Sequence, residues 1–156
     1  MKDSKIAPLK GVRKFHSKQS AHEHMPETPF RLIALGNSGS GKTLTLQNMI
    51  LNHYQGVLKA IYLWSPTARL DMGWEPVFKY MKSELGQDPE STSGDEQCVF
   101  SEFRNEDLIR VVDTIAKEIK QLKERRAGHS QELPNYLAIA DDFADDPAAV
   151  RHSNFV

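Results

Sequence analysis

Eight consecutive residues have the types and spacing of a loop that binds nucleotide phosphates. They match the pattern G-x-x-x-x-G-K-[ST] at every position, as Gly36, Asn37, Ser38, Gly39, Ser40, Gly41, Lys42 and Thr43. Such a loop wraps backbone N–H groups around the anion, and glycine permits both the close approach and a positive φ. We expect Lys42 to neutralise the β and γ phosphates of ATP and Thr43 to offer its hydroxyl to Mg²⁺. The alternative is a glycine-rich turn with an incidental lysine.

Two acidic residues follow the last apolar run of the chain. Tyr136–Ala140 leads directly into Asp141 and Asp142. Catalysis of phosphoryl transfer depends mostly on positioning and charge, so a phosphate loop needs a carboxylate for the metal and a residue that orients water. We predict that Asp141 holds Mg²⁺ through its water shell and that Asp142 polarises the attacking water. Lys42 and Asp142 are then the catalytic residues. A strand that ends in two acids is a weak signal alone and gains its weight from the complete loop.

A third segment, Trp64–Thr67, ends another predicted strand. We expect it to lie at the same edge of the sheet as the glycine-rich loop and the two acids. Its aromatic side chain could stack on a base or pack in the core, and we favour core packing. Thr67 could sense phosphate.

Alternating apolar and amphipathic segments position these groups. The predicted strands are Phe30–Leu35, Ala60–Trp64, Cys98–Phe100 and Tyr136–Ala140. The predicted helices are Thr43–Tyr54, Trp74–Leu85 and Asn105–Ala127. Continuous apolar strands that alternate with helices imply a mostly parallel sheet covered on both faces. With the phosphate loop, this predicts an α/β fold, the three-layer sandwich of P-loop NTPases.

Apolar periodicity identifies the buried helix faces. The first helix is expected to bury Leu44, Leu46, Met49 and Ile50. The third has a stripe at alternating steps of four and three residues, formed by Leu108, Val112, Ile115, Ile119 and Leu122. The loop 83–97 carries five acidic residues and no basic one, and we expect it to be mobile.

Length and composition indicate one soluble domain. The chain has 156 residues, of which 39% are hydrophobic and 26% charged, with a net charge of −1. Residues 1–29 hold six Lys or Arg against three acids, with three prolines and little apolar periodicity. We predict a basic, disordered tail there, which could contact nucleic acid or only aid solubility, and a P-loop ATPase domain over 30–156. No apolar run has the length of a signal or membrane segment, so we expect an intracellular protein without a membrane partner. The single cysteine, Cys98, excludes an intrachain disulfide.

The order of these motifs resembles a known class of nucleotide-driven motors. The likeness is carried by the runs Phe30–Thr43, Tyr62–Thr67 and Tyr136–Phe143. It is to the poxvirus-type genome-packaging ATPases of large DNA viruses and related mobile elements, in the FtsK-HerA class of P-loop motors, and it covers residues 30–156.

This resemblance implies an ATP-driven, homo-oligomeric ring that moves double-stranded DNA into a viral capsid, with the capsid or a portal as its partner, in the host cytoplasm or the virion. Carried over by position, Lys42 and Thr43 would serve the phosphates and Mg²⁺, Asp141 the metal and Asp142 the catalysis. Motors of this class often have glutamate at the catalytic position, so Asp142 is a departure from the pattern.

Members of the class continue into a further strand with a polar sensor residue, between the strand before the P-loop and the strand before Asp141. This chain ends at Val156, where a helix begun at Pro147 would still be under way. On the family topology, the central sheet position is then empty and leaves apolar edges exposed. We therefore expect a fragment, a truncated product or a decayed copy, incomplete at its C-terminus.

Three functions stay open on the sequence alone. The first is a DNA-packaging or DNA-translocating ATPase. The second is a small-molecule kinase, which shares the P-loop but normally needs an arginine-rich lid, whereas the loop 83–97 is acidic. The third is a scaffold or fragment that binds nucleotide without hydrolysing it, which the early end of the chain favours.

Overall fold

The computed structural model describes residues 15–37, 39–125 and 132–142. Its strands are β1 (His16–Ser17), β2 (Leu58–Trp64), β3 (Val99–Phe100), β4 (Glu132–Leu133) and β5 (Asn135–Ala140). Its α-helices are α1 (Lys42–Asn48), α2 (Glu75–Glu84) and α3 (Asn105–Arg125). A π-helical segment, Met49–His53, continues α1, and a 3₁₀ turn, Met72–Trp74, leads into α2.

All strand pairs among the described residues are parallel. A three-stranded sheet has the order β3-β2-β5, and β1 pairs with β4 in a separate two-stranded ladder. Leu63 lies opposite Ile139 and Trp64 opposite Ala140, so β2 and β5 end at the same level. The predicted α/β class with a mostly parallel sheet is confirmed, and it is compatible with a P-loop NTPase fold.

Helices cover both faces of the sheet. Ile61, Leu63 and Ile139 belong to one buried cluster with residues of the first two helical segments, Ile50, Val77 and Met81. On the opposite face, Trp64 and Phe100 pack with residues of α3 and its approach, Phe103, Leu108 and Val111. The Trp64 and Phe100 rings stack at 4.7 Å with an angle of 11° between their planes. Trp64 is fully buried, so it is a core residue, as favoured above, and is not a platform for a base.

The predicted strand Phe30–Leu35 is wrong, because this segment has no regular structure. Leu32, Ile33 and Leu35 are 54%, 82% and 89% exposed. A strand needs a neighbour to pair its backbone groups, and in the described part of the chain β5 pairs with β2 alone. Leu44 was expected to be buried but is 69% exposed, and Gln47 takes a buried position on α1 instead.

The predicted disorder of the N-terminal tail does not hold for residues 15–29. Ser20 Oγ donates to the carbonyl oxygen of His53 at 2.5 Å, and Tyr54 Oη donates to Pro26 O at 2.7 Å. Asn135 Nδ2 donates to Lys18 O at 2.7 Å. Residues 15–29 therefore lie beside the first residue of β5 and the end of the first helical segment. The remainder of the predicted tail, residues 1–14, lies outside the described residues.

Helix α3 forms where the sequence predicted it, with one shift of its buried face. Val111 is buried, whereas Val112 is 54% exposed. Leu108, Val111 and Ile115 are spaced by three and four residues, so they share one face of the helix. Val112, the residue after Val111, lies at the border of that face. The predicted end at Ala127 lies outside the described residues, as do the helix predicted from Pro147 and every residue after Asp142.

The loop 83–97, predicted to be mobile, is held against the sheet. Gln87 Oε1 accepts from the backbone N–H of Ile61 at 2.8 Å, and Gln87 Nε2 donates to Ile61 O at 3.0 Å. Arg69 pairs with Glu90 at 2.9 Å, and Pro89 is buried. Within the described residues, β3 pairs with β2 only at Leu63 and Trp64 and does not extend to Ile61. The side chain of Gln87 supplies the hydrogen bonds there that a neighbouring strand would otherwise make.

We expect Gln87→Leu to lower the free energy of unfolding by about 2 kcal/mol, because a donor and an acceptor of fully buried Ile61 would both lose their partner. Urea denaturation measures the change. The matched control is Gln121→Leu, at an exposed position on α3. Equal stability of the two variants would contradict this role of Gln87.

Cys98 is fully buried, and burial raises the pKa of its thiol to about 11, with a further contribution from Asp88. An ordinary cysteine has a pKa near 8.5, so at pH 8 the thiolate fraction of Cys98 is lower by roughly 200-fold. We expect a thiol reagent to label the native protein at least that much more slowly than the urea-unfolded chain. Labelling of the native protein should accelerate as the pH rises towards 11. Similar rates for both forms at pH 8 would contradict the burial of Cys98.

In the described part of the chain, no helix combines the length and the apolar character needed to cross a membrane.

Candidate nucleotide site

The glycine-rich loop turns through two residues with positive φ. Gly39 has φ 75° and Gly41 has φ 84°, and α1 begins at the next residue, Lys42. Gly36 does not share this conformation, but a Cβ placed on it would approach Ser40 Oγ to 2.6 Å. Gly39 and Gly41 are therefore favoured by the backbone conformation, whereas a side chain at Gly36 would have to displace the hydroxyl of Ser40. Ser38 lies outside the described residues.

Lys42 folds back over this loop. Its ammonium donates to the carbonyl oxygens of Gly36 at 2.8 Å and Asn37 at 3.0 Å. The positive charge therefore lies above the backbone that the sequence predicts will surround phosphate. Phosphate oxygens are stronger acceptors for an ammonium than neutral carbonyls are, so an incoming phosphate can take over these hydrogen bonds.

Thr43 faces the first of the two acids after β5. Its hydroxyl donates to Asp141 Oδ2 at 3.5 Å, although the residues are 98 positions apart in the chain. The backbone N–H of Asp141 donates to Trp64 O at 2.9 Å, which fixes this acid at the end of the β2 and β5 pair. The end of β5 and the first turn of α1 thus place Asp141 and Thr43, the two residues predicted to serve the metal, in contact.

The charges of Asp141 and Asp142 favour the binding of a cation. Partial burial raises the pKa of Asp141 above its usual value, and the negative charge of Asp142 raises it further. The hydrogen bond from Thr43 and the charge of Lys42 act in the opposite direction without cancelling the rise. Two neighbouring carboxylates therefore repel each other, and a bound cation would relieve that repulsion.

Asp142 lies at the surface with φ 59°, a conformation uncommon for residues other than glycine. Its Oδ2 accepts a hydrogen bond from Thr67 Oγ1 at 3.2 Å. Thr67 Oγ1 is also 3.4 Å from Ser65 Oγ. The acid predicted to act on water thus contacts the segment that follows β2, and Thr67, considered above as a phosphate sensor, contacts an acid instead.

The oxygen atoms of Thr43 and Asp141 fit Mg²⁺. This ion prefers oxygen ligands and is commonly held by one or two carboxylates together with substrate phosphates and water. Accordingly, within 15–37, 39–125 and 132–142, no cluster of three or more His, Cys, Asp or Glu side chains could hold a metal by itself. Shallow grooves along α3, one of them lined by Arg110 and Lys117, contain none of the predicted site residues.

The contact between Thr67 and Asp142 is the part of the site that sequence reasoning missed. The position of Ser65 and Thr67 in the sequence could have predicted it, because both residues follow β2, which ends beside Asp141. The left-handed backbone of Asp142 left no signal in the residue pattern.

Comparison with known families adds one observation. Residues 17–75 match the family profile of the poxvirus A32 protein. The matched segment includes the whole glycine-rich loop, α1 and β2, and it begins within the N-terminal residues that pack on the domain. It agrees with the resemblance noted in the sequence and supports the same general kind of function. No curated protein and no solved structure gave a match.

Proposed function

We propose that this chain is an ATPase that binds ATP and Mg²⁺ through Gly36–Thr43 and Asp141 and acts in the packaging of viral DNA. The observation that carries the proposal is the 3.5 Å contact between Thr43 and Asp141. A glycine-rich turn with an incidental lysine has no reason to meet an acidic strand end, whereas a nucleotide site requires both parts. The match of residues 17–75 to the poxvirus A32 family supports the packaging role.

Each side chain has a distinct part in the proposed reaction. Lys42 exchanges its two carbonyl partners for oxygens of the β and γ phosphates. Thr43 and Asp141 hold Mg²⁺, which supplies positive charge against the phosphates. Asp142 accepts a hydrogen bond from the attacking water and orients it towards the γ phosphate. Lys42 and Asp142 are thus the catalytic residues.

The polymer and the assembly are proposed from the family likeness. The nucleic acid is double-stranded DNA, the active form is a homo-oligomeric ring, and the partner is a viral capsid or portal, in the host cytoplasm or the virion. A ring is chemically reasonable, since an arginine from a neighbouring subunit often completes such a site.

The test is ATP turnover by the purified chain, measured with and without double-stranded DNA, beside the Lys42→Ala variant as the background. Turnover that rises with DNA supports the motor. Tight ATP binding without turnover under both conditions would favour the scaffold, and transfer of the γ phosphate to a small acceptor would favour the kinase. Either of these last results overturns the proposal.

A further inference from the structure

The hydroxyl groups that follow β2 form a directed chain to Asp142. A threonine hydroxyl has a single proton. Asp142, as a carboxylate, only accepts, so the 3.2 Å contact requires Thr67 to donate to it. Ser65 must then be the donor in the 3.4 Å contact between the two hydroxyls. The order is Ser65 to Thr67 to Asp142.

We propose that Thr67 is a positioning residue that holds the carboxylate of Asp142 in the orientation in which it acts on water. This inference rests on the proposed ATPase function. It also separates Thr67 from a phosphate sensor, because its one proton is already directed at Asp142.

Thr67 is itself held firmly. Its carbonyl oxygen accepts from the backbone N–H groups of Leu70 and Asp71, each at 2.8 Å. Ser65 is 1% exposed, and its N–H donates to Phe100 O at 2.9 Å. The hydroxyl that contacts Asp142 therefore projects from a turn attached to the buried end of β2.

The carboxylate of Asp142, by contrast, needs a hydrogen-bond donor from another segment to fix its orientation. Asp142 is the second residue after β5, its side chain is exposed, and its backbone has left the extended conformation. An exposed carboxylate on such a backbone can take several rotamers. A displacement of about 1 Å in a reacting group can cost about 100-fold in rate. One hydrogen bond from a fixed donor is therefore enough to matter for hydrolysis.

The first experiment compares Thr67→Val, which keeps the shape and removes the hydroxyl, with Thr67→Ser, which restores it. We expect Thr67→Val to lower kcat by about 10- to 100-fold with KM for ATP within about 3-fold, and Thr67→Ser to recover most of the rate. In an Asp142→Asn background, Thr67→Val should have little further effect, because the residue acts through Asp142. The matched control is Thr114→Val, whose hydroxyl donates to Arg110 O on α3.

A second measurement does not depend on turnover. In the nucleotide-free protein, the NMR shift of the Asp142 carboxyl carbon should change in Thr67→Val and return in Thr67→Ser, while that of Asp113 stays constant. An unchanged Asp142 signal overturns the inference, as does wild-type turnover in Thr67→Val or an equal loss of ATP binding and rate. No turnover in the wild type instead overturns the ATPase function, and the positioning role with it.

Discussion

Replacement of Lys42 by alanine is expected to raise the Kd for ATP by at least about 100-fold. The ammonium lies within hydrogen-bond distance of the loop, and the variant would lose two charge-assisted hydrogen bonds to phosphate, each contributing about 1.5–3 kcal/mol. Isothermal titration calorimetry with ATP and Mg²⁺ measures the change.

The fold should survive this replacement, because the present partners of Lys42 are carbonyl oxygens of an exposed loop, which water can solvate. Thermal unfolding without nucleotide should therefore be nearly unchanged. The matched control is Lys79→Ala, whose ammonium pairs with Glu75 at 2.8 Å on the exposed face of α2. Unchanged ATP affinity in Lys42→Ala would show that Gly36–Thr43 is not the nucleotide site.

Asp142→Asn is expected to leave ATP affinity within about 3-fold and to lower kcat by about 100- to 10,000-fold, the usual range for loss of a general base. The amide keeps the shape of the side chain and can still accept from Thr67, but it cannot take a proton from water. Single-turnover hydrolysis, measured beside ATP titration, separates the chemical step from binding.

Asp113→Asn, at an exposed position on α3, is the matched control. If Asp142→Asn loses ATP affinity and rate to the same extent, Asp142 serves the metal or the fold instead. A rate equal to the wild type would assign the attacking water to another group.

The elements that the sequence predicted correctly are those with a strong local pattern. β2 and β5 contain the continuous apolar runs Ala60–Trp64 and Tyr136–Ala140, and α3 carries its apolar stripe together with acids in its first turn and basic residues in its last. The rule that parallel strands end at a shared edge explains why Asp141 lies beside the end of β2. It does not account for the contact between Thr43 and Asp141, because Phe30–Leu35, the strand expected to join the glycine-rich loop to that sheet, does not form.

The errors concern features that depend on distant partners. Phe30–Leu35 has the composition of a strand, but a strand exists only beside another, which local composition does not encode. Residues 15–29 lack apolar periodicity, yet they pack through hydrogen bonds from Ser20, Tyr54 and Asn135 to backbone carbonyls. The fixed loop before Cys98 depends in the same way on distant contacts, those of the Gln87 amide with Ile61 and of Glu90 with Arg69.

The packing of residues 15–29 bears on how the protein is best produced in the laboratory. From the sequence alone, an N-terminal truncation at residue 30 would be a natural choice, because the apolar run before the glycine-rich motif begins there. The truncated protein would lose Pro26 O, which accepts from buried Tyr54, and Lys18 O, the nearer of the two carbonyl oxygens that accept from buried Asn135. Asn135 opens the strand that ends at Asp141, so the damage would begin at the opposite end of β5 from the site. An expression boundary before residue 15 keeps these partners.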